Sequence, residues 1–325
     1  MKEKHLWKLE GLTAFEPDAK PNVLLIGNGI NRSFAAKSWE DLICDALIRN
    51  KSNYAYDDIK DMPATMQIVV ATSASLGKNH DNSVKKEAQI IATNLLCKEL
   101  EDKQSDLIGH ILDLPIDAIL NTNYSNEVEL FATGCGSLHS FRSCQRRTKP
   151  VKGVKEQFRL FQFSSLGAKY QHKTLWHIHG DISKPSSMVI GHYYYGKLMK
   201  QIEDRAALCK RNHEIARHKG IPYRPESWVD LFLTGDVYVL GLGLYLTEQD
   251  LWWLLSFKQR HFPETRVFFY QAEKKMNRDV KKLLIAYGVE PVTEIPLHSN
   301  EYLNFYTAAL KDIKTRIVKQ EATHV

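Results

Sequence analysis

Short apolar runs alternate along this chain with longer stretches whose apolar positions recur at helical spacing. Val23–Ile26, Ile116–Leu120, Thr174–Ile178, Met188–Ile190, Val237–Leu240 and Val267–Tyr270 read as strands, with Val289–Val292 after Gly288 as a seventh. Helical spacing covers Trp39–Arg49, Val84–Leu100, Leu198–His218, Glu248–Arg260, Lys274–Tyr287 and Glu301–Lys319. Strands that alternate with helices predict an α/β fold: a Rossmann-like, doubly wound, mainly parallel sheet with helices on both faces. Residues 52–110 and 192–230 break the rhythm. They read as two helical insertions in a single domain spanning 1–325, together forming a small cap over the sheet's C-terminal edge. Residues 140–156 form a third irregular region, rich in Arg and Lys.

Several strand ends carry residues suited to chemistry. Gly27-Asn28-Gly29-Ile30-Asn31 follows the first strand, where a doubly wound sheet binds its ligand. Glycines there let the backbone approach phosphate oxygens. The fingerprint is incomplete, because Arg32 stands where a third glycine belongs, so a plain turn explains the segment equally well. Arg32 itself is a candidate phosphate partner or a solvated side chain. Gly241-Leu242-Gly243 repeats the strand-then-glycine arrangement and leads to Thr247, Glu248 and Asp250, a helix start with Thr247 as cap. Close helix–sheet packing is the alternative reason for those glycines.

Asn123 follows the second strand by three residues. Its carboxamide donates and accepts in fixed directions, which suits holding a water or a sugar hydroxyl; shaping a turn is the plainer role of Asn121 and Asn123. On a strand, His177 and His179 face the same side. Gly180 permits a sharp exit, and Asp181 or the turn's backbone is placed to orient the ring of His179, a proton acceptor near neutral pH. A metal would need His172, Asp181 or His192 beside the two histidines, and no recognised ligand spacing supports that. No metal is expected.

Composition narrows the class. Hydrophobic residues make up 43% and charged residues 25%, as in soluble globular proteins, and 325 residues can bury a core without staples. Five cysteines, none in a Cys-x-x-Cys pair, argue against a disulfide scaffold and a four-cysteine zinc site and for a reduced, cytoplasmic protein. Neither a signal peptide nor a membrane span is expected. The net charge of +6 favours an anionic ligand. Arg142, Arg146, Arg147, Lys149, Lys152 and Lys155 lack interleaved aromatics, so a solvated loop is expected there, not a nucleic-acid groove.

In order, Gly27-Asn28-Gly29 with Trp39-Glu40-Asp41-Leu42, Thr122-Asn123-Tyr124-Ser125 with Glu129, His179-Gly180, and Gly241 followed by Asp250 resemble the sirtuin-like NAD-binding family. The likeness is greatest to the bacterial branch that degrades NAD in antiphage defence. The resemblance implies that Gly27 and Gly29 approach the pyrophosphate, and that Gly241 and Gly243 border the adenosine ribose. Asn123 would position the attacking water or a ribose hydroxyl, and His179 would accept a proton. Asn28, Asn31, Arg32, Thr122, Tyr124, Ser125, Gly180 and Asp250 would line the cofactor. Ser125 replaces the family's usual Asp at the nicotinamide end, Asn31 replaces a common Ser, and the four-cysteine zinc module of the protein-deacylating members is missing.

The implied activity is hydrolysis of NAD to nicotinamide and ADP-ribose, with NAD as substrate. Two alternatives stand beside it: an NAD-dependent protein deacylase, and a regulatory subunit that binds NAD or ADP-ribose without turnover. An unrestrained NAD hydrolase would harm its host. The expected partners are therefore further copies of the chain in an oligomer and a separate activating or sensor protein.

Overall fold

The computed structural model describes residues 14–16, 19–34, 36–73, 80–95, 100–134, 145–147, 158–244, 248–298 and 301–323. Among the described residues eight strands form one sheet: β1 (Asn22–Ile26), β2 (Ala118–Asn121), β3 (Gln145–Arg147), β4 (Gln162–Ser165), β5 (Thr174–His177), β6 (Asp236–Leu240), β7 (Val267–Tyr270) and β8 (Val289–Val292), ordered β3-β4-β5-β2-β1-β6-β7-β8. The strands from β5 to β8 pair in parallel, whereas β3–β4 and β4–β5 pair antiparallel. Counted by chain order, the six parallel strands run third, second, first, fourth, fifth, sixth across the sheet. That is the order of a doubly wound dinucleotide fold, with its crevice where the winding reverses, between β1 and β6. The architecture is α/β and consistent with a Rossmann-like fold.

The strands are continuous apolar runs because both faces are covered. Val23, Leu25, Leu120, Trp176, Val237, Val239 and Phe269 enter one core; Leu24, Ile26, Ile119, Leu175, Tyr238, Leu240 and Phe268 enter the other. The first core receives α2 (Trp39–Arg49), α3 (Ala64–Ser73), α4 (His80–Asn94), α7 (His192–Lys219), α8 (Trp228–Thr234), α9 (Gln249–His261) and Leu284 of α10 (Arg278–Ala286). The second receives α5 (Asp102–Leu112), α6 (Glu127–Thr133), α11 (Tyr302–Thr323) and Ile30 of the short α1 (Gly29–Arg32). Helix α2 begins where the sequence predicts because Ser38 and Asp41 cap each other: the Asp41 amide donates to Ser38 Oγ at 3.1 Å and the Ser38 amide to Asp41 Oδ2 at 2.7 Å. Among the described residues no helix is long and apolar enough to cross a membrane.

Four expectations change. Met188–Ile190 is not a strand. A single 3-10 turn (Pro185–Ser187) precedes it, and the Met188 and Ile190 amides donate to the nearby Pro185 and Met188 carbonyls at 3.1 Å, so the segment is buried without joining the ladder. Residues 52–110 are not one insertion: α3 and α4 pack with α2 and α7 on one face, while α5 packs on the other against α6 and α11. The two insertions do meet at Gly191, which lies against Ile68 and Val69. The basic region contains a strand, β3, with Arg146 and Arg147 in it; Arg142, Lys149, Lys152 and Lys155 lie outside the described residues, as does Thr247. Helices α1, α6 and α8 and strands β3 and β4 were not predicted, and α3 and α5 were read only within the helical region 52–110. The unpredicted elements are seven residues long or less, too short for a periodic signal.

Candidate functional site

Four loops leave the C-terminal ends of β1, β2, β5 and β6, and each hydrogen-bonds to the next. The Gly29 amide donates to Gly241 O at 2.7 Å, joining the β1 and β6 loops. The Thr122 amide and hydroxyl donate to Ile26 O at 3.0 and 3.2 Å, and Asn31 Nδ2 donates to Ser125 Oγ at 3.4 Å, joining β1 to β2. His177 Nδ1 lies 2.8 Å from Asn123 O, joining β2 to β5. His179 Nε2 donates to Asp250 Oδ2 at 2.8 Å, joining β5 to the start of α9 after β6. The four predicted segments thus close a ring at one rim of the sheet.

The glycines have an internal reason to be glycine. A Cβ on Gly27 or Gly29 would come within 2.6 Å of Gly241 O, and Gly241 has φ +70° with Ile30 Cγ1 2.8 Å from a would-be Cβ. These turns are small because the β1 and β6 loops touch each other, which accounts for them without a phosphate. Tyr306 of α11 adds to the crowding, since its hydroxyl would lie 2.7 Å from a Cβ at Gly29. Asn28 donates through Nδ2 to Lys37 O at 3.2 Å, whereas Arg32 and Gly243 are exposed.

Asn123 is held by its main chain. Its amide donates to Asn121 Oδ1 at 2.9 Å, and its carbonyl faces His177 Nδ1. Its carboxamide makes no hydrogen bond among the described residues, so it is available to a ligand. His177 Nε2 also meets Glu129 Oε1 at 2.8 Å, and Ser164 Oγ donates to the same oxygen at 3.0 Å. Burial disfavours a charged His177, but Glu129, helped by Asp181 and the Asn123 carbonyl, outweighs it and lifts the pKa to about 9. At neutral pH the ring is an imidazolium that donates from both nitrogens.

The ring of His179 meets a different set. Asp250, fully buried in the first turn of α9, takes Nε2–H. Glu248 lies beside both, with the Tyr195 hydroxyl of α7 bonded to it, and the Tyr195 ring centroid lies 5.6 Å from that of His179. Tyr124 donates to Val189 O at 2.9 Å, while the Val189 amide donates to His179 O at 2.8 Å, so the Asn123 loop and His179 are stitched through one residue. Burial disfavours the His179 cation, yet Asp250 and Glu248 together raise its pKa above the ordinary value. Burial, reinforced by Asp250 and opposed by His179 and Tyr195, pushes the Glu248 carboxyl up to about 7. Asp250 Oδ1 and Glu248 Oε2 are buried without a hydrogen-bond partner.

Asp181 does not orient His179. It pairs with Arg159 at 2.7 Å and receives the Ser183 amide at 2.7 Å; burial opposes its charge, but Arg159 and His177 keep its pKa below the usual range. Gly180 is required for another reason: at φ +84° a Cβ would stand 2.1 Å from Ser187 O. His172 and His192 are exposed and do not join the two buried histidines. The ligand atoms of His179, Glu248 and Asp250 do lie within 4.8 Å of one another, a donor set of one nitrogen and two oxygens that a divalent ion can use. The Nε2–H bond to Asp250 and the Tyr195 bond to Glu248 occupy the same groups with protons alone.

Sequence reasoning missed the part played by His177, Glu248, Tyr195 and Glu127. His177 had a signal in its i−2 relation to His179, and Glu248 in its i−2 relation to Asp250. Tyr195 had none, because it arrives from a helix starting after the loop. Glu127 is buried beside Ser125, and burial raises its carboxyl while the Ser125 hydrogen bond lowers it. A carboxyl group therefore stands next to the serine at 125. No family model matches this sequence, and no curated protein matches it.

Proposed function

We propose that this chain is an NAD hydrolase of the sirtuin-like kind. The observation that carries the reading is the hydrogen-bonded ring of four strand-end loops around a Rossmann-type switch point, with an unbonded carboxamide at Asn123 and a buried imidazole at His179 on adjacent loops. The nicotinamide leaving group is already cationic, so no strong acid is needed, and departure builds an oxocarbenium-like ribose. A water positioned by Asn123 attacks C1′ of the ribose. The C1′–N bond breaks with its electron pair leaving on nicotinamide, and the water's proton passes to His179. The two glycine loops and Asn31 would flank the pyrophosphate and adenosine end, and Ser125 with Glu127 the nicotinamide end. The test is nicotinamide release from NAD by the purified chain. Asn123→Ala and His179→Gln are expected to lose turnover by on the order of a hundredfold or more while remaining folded. Equal NAD consumption by all three proteins would refute the assignment.

A second reading is binding of NAD or ADP-ribose without turnover, and one observation favours it. Against the effect of burial, Asp250 and Glu248 raise the pKa of His179, which favours the imidazolium, a form with no lone pair for a proton. Calorimetry showing tight NAD binding with no nicotinamide released at any pH would select it. The hydrolase reading further implies restraint by oligomer assembly or a separate activator, and a role in antiphage defence. Cellular NAD that stays constant during phage challenge, with genomic neighbours present, would remove that role.

A further inference from the structure

The ring of His179 has two nitrogens in different circumstances. Nε2 is fixed 2.8 Å from Asp250 Oδ2, while Nδ1 makes no hydrogen bond among the described residues. Both partners are buried, so water does not compete for the bond. A carboxylate accepts and never donates when ionised, which forces the proton onto Nε2. We infer that Asp250 is a positioning residue for His179: it holds the ring as the Nε2–H tautomer, so that Nδ1 is the atom that accepts the proton, and Glu248 acts as a second carboxyl that adjusts the ring's charge. The inference rests on the proposed hydrolase and replaces the cofactor contact expected of Asp250 from sequence.

The groups that face the ring are few and come from three directions. Asp250 and Glu248 arrive at the start of α9, Tyr195 from α7, and Tyr124 from the loop after β2. Among these, the two carboxyls sit on one short stretch of chain. Their unpartnered oxygens, Asp250 Oδ1 and Glu248 Oε2, leave a buried excess of negative charge that an imidazolium relieves. A proton taken up at Nδ1 is therefore stabilised in place without moving the ring, the arrangement expected of a base whose partner orients it.

The test uses the full chain, labelled at its histidine rings, with nitrogen and carbon resonances of His179 identified by comparison with His179→Gln. In wild type the neutral ring is expected as the Nε2–H tautomer. Asp250→Asn keeps an acceptor, so the tautomer persists, but the ring's titration and the acid limb of NAD turnover move together to lower pH. Asp250→Leu is expected to lose the tautomer preference. Glu248→Gln, which leaves the Nε2 bond intact, is expected to shift both curves in the same direction by less, and it serves if the Asp250 variants do not fold. A wild-type ring protonated at Nδ1 when neutral, or a titration unmoved in both Asp250→Asn and Glu248→Gln, overturns the inference. A wild type that shows the expected tautomer and shifts but leaves NAD intact upholds the positioning and sinks the hydrolase.

Discussion

His177 and His179 stand two residues apart, both buried and both 2.8 Å from a carboxylate oxygen, yet they occupy opposite chemical positions. His177 spends both ring nitrogens, one on Glu129 Oε1 and one on the Asn123 carbonyl, and Ser164 donates to that same Glu129 oxygen. It is a clamp that fixes where Asn123 sits. His179 spends one nitrogen on Asp250 and keeps the other. Its surroundings hold two carboxyls, two of whose oxygens are unsatisfied. A ring with both nitrogens bonded gives rigidity; a ring with one nitrogen to spare can take part in a reaction. Proximity of a histidine to an acid does not distinguish the two cases, and the count of bonded nitrogens does.

The comparison can be broken at several points. Removing the clamp should have the largest effect: His177→Ala leaves Glu129 buried without its counter-charge, and urea unfolding is expected to show a loss of about 3–5 kcal/mol. Next comes His179→Gln, expected to leave stability closer to wild type while NAD turnover falls by on the order of a hundredfold, about 2.7 kcal/mol in the barrier. If instead His177→Ala lost turnover at unchanged stability, the roles would have to be exchanged. Ser164→Ala removes one hydrogen bond to the Glu129 carboxylate and should cost about 2 kcal/mol in the same melts, with turnover per folded molecule unaffected.

The pH dependences should run in opposite directions. The folded pKa of His177, about 9, lies above its unfolded value near 6.5. Its contribution to stability is therefore complete below about pH 6.5 and is lost as pH rises through about 9. Turnover needs His179 unprotonated. It should rise about tenfold per pH unit, or about 1.4 kcal/mol, until pH passes that ring's raised pKa, and then level off. A turnover profile that is flat from pH 6 to 9 would show that His179 is not the base.

Much of the scaffold was legible in the chain. Apolar runs such as Val23–Ile26 and Val267–Tyr270 announced strands buried on both faces, and helical spacing located α2 over Trp39–Arg49. The placement of Asn123, His179, Gly27, Gly29 and Gly241 at strand ends on one rim was readable from the chain. The segment Met188–Ile190 misled because apolar character reports burial and not pairing; the Met188 and Ile190 amides turn back on local carbonyls, and only Val189 reaches the loop after β5, through His179 O. The glycines were read as making room either for a ligand or for a turn and close packing, and in the fold Gly27, Gly29 and Gly241 make room for each other.

Sequence by itself determined the alternation of the parallel strands with helices, the two-sided core, and which loops carry amide, imidazole and glycine, because these depend on local periodicity and on residue type. The strand order of the sheet, the split of α3 and α4 from α5, and the partnership of each histidine were decided in three dimensions. His179 and Asp250 are 71 positions apart, and His177 and Glu129 are 48 apart. Such pairs meet only when the sheet sets the spacing between strand ends, and the dry environment that gives them their charge states does not exist until both cores have closed over it.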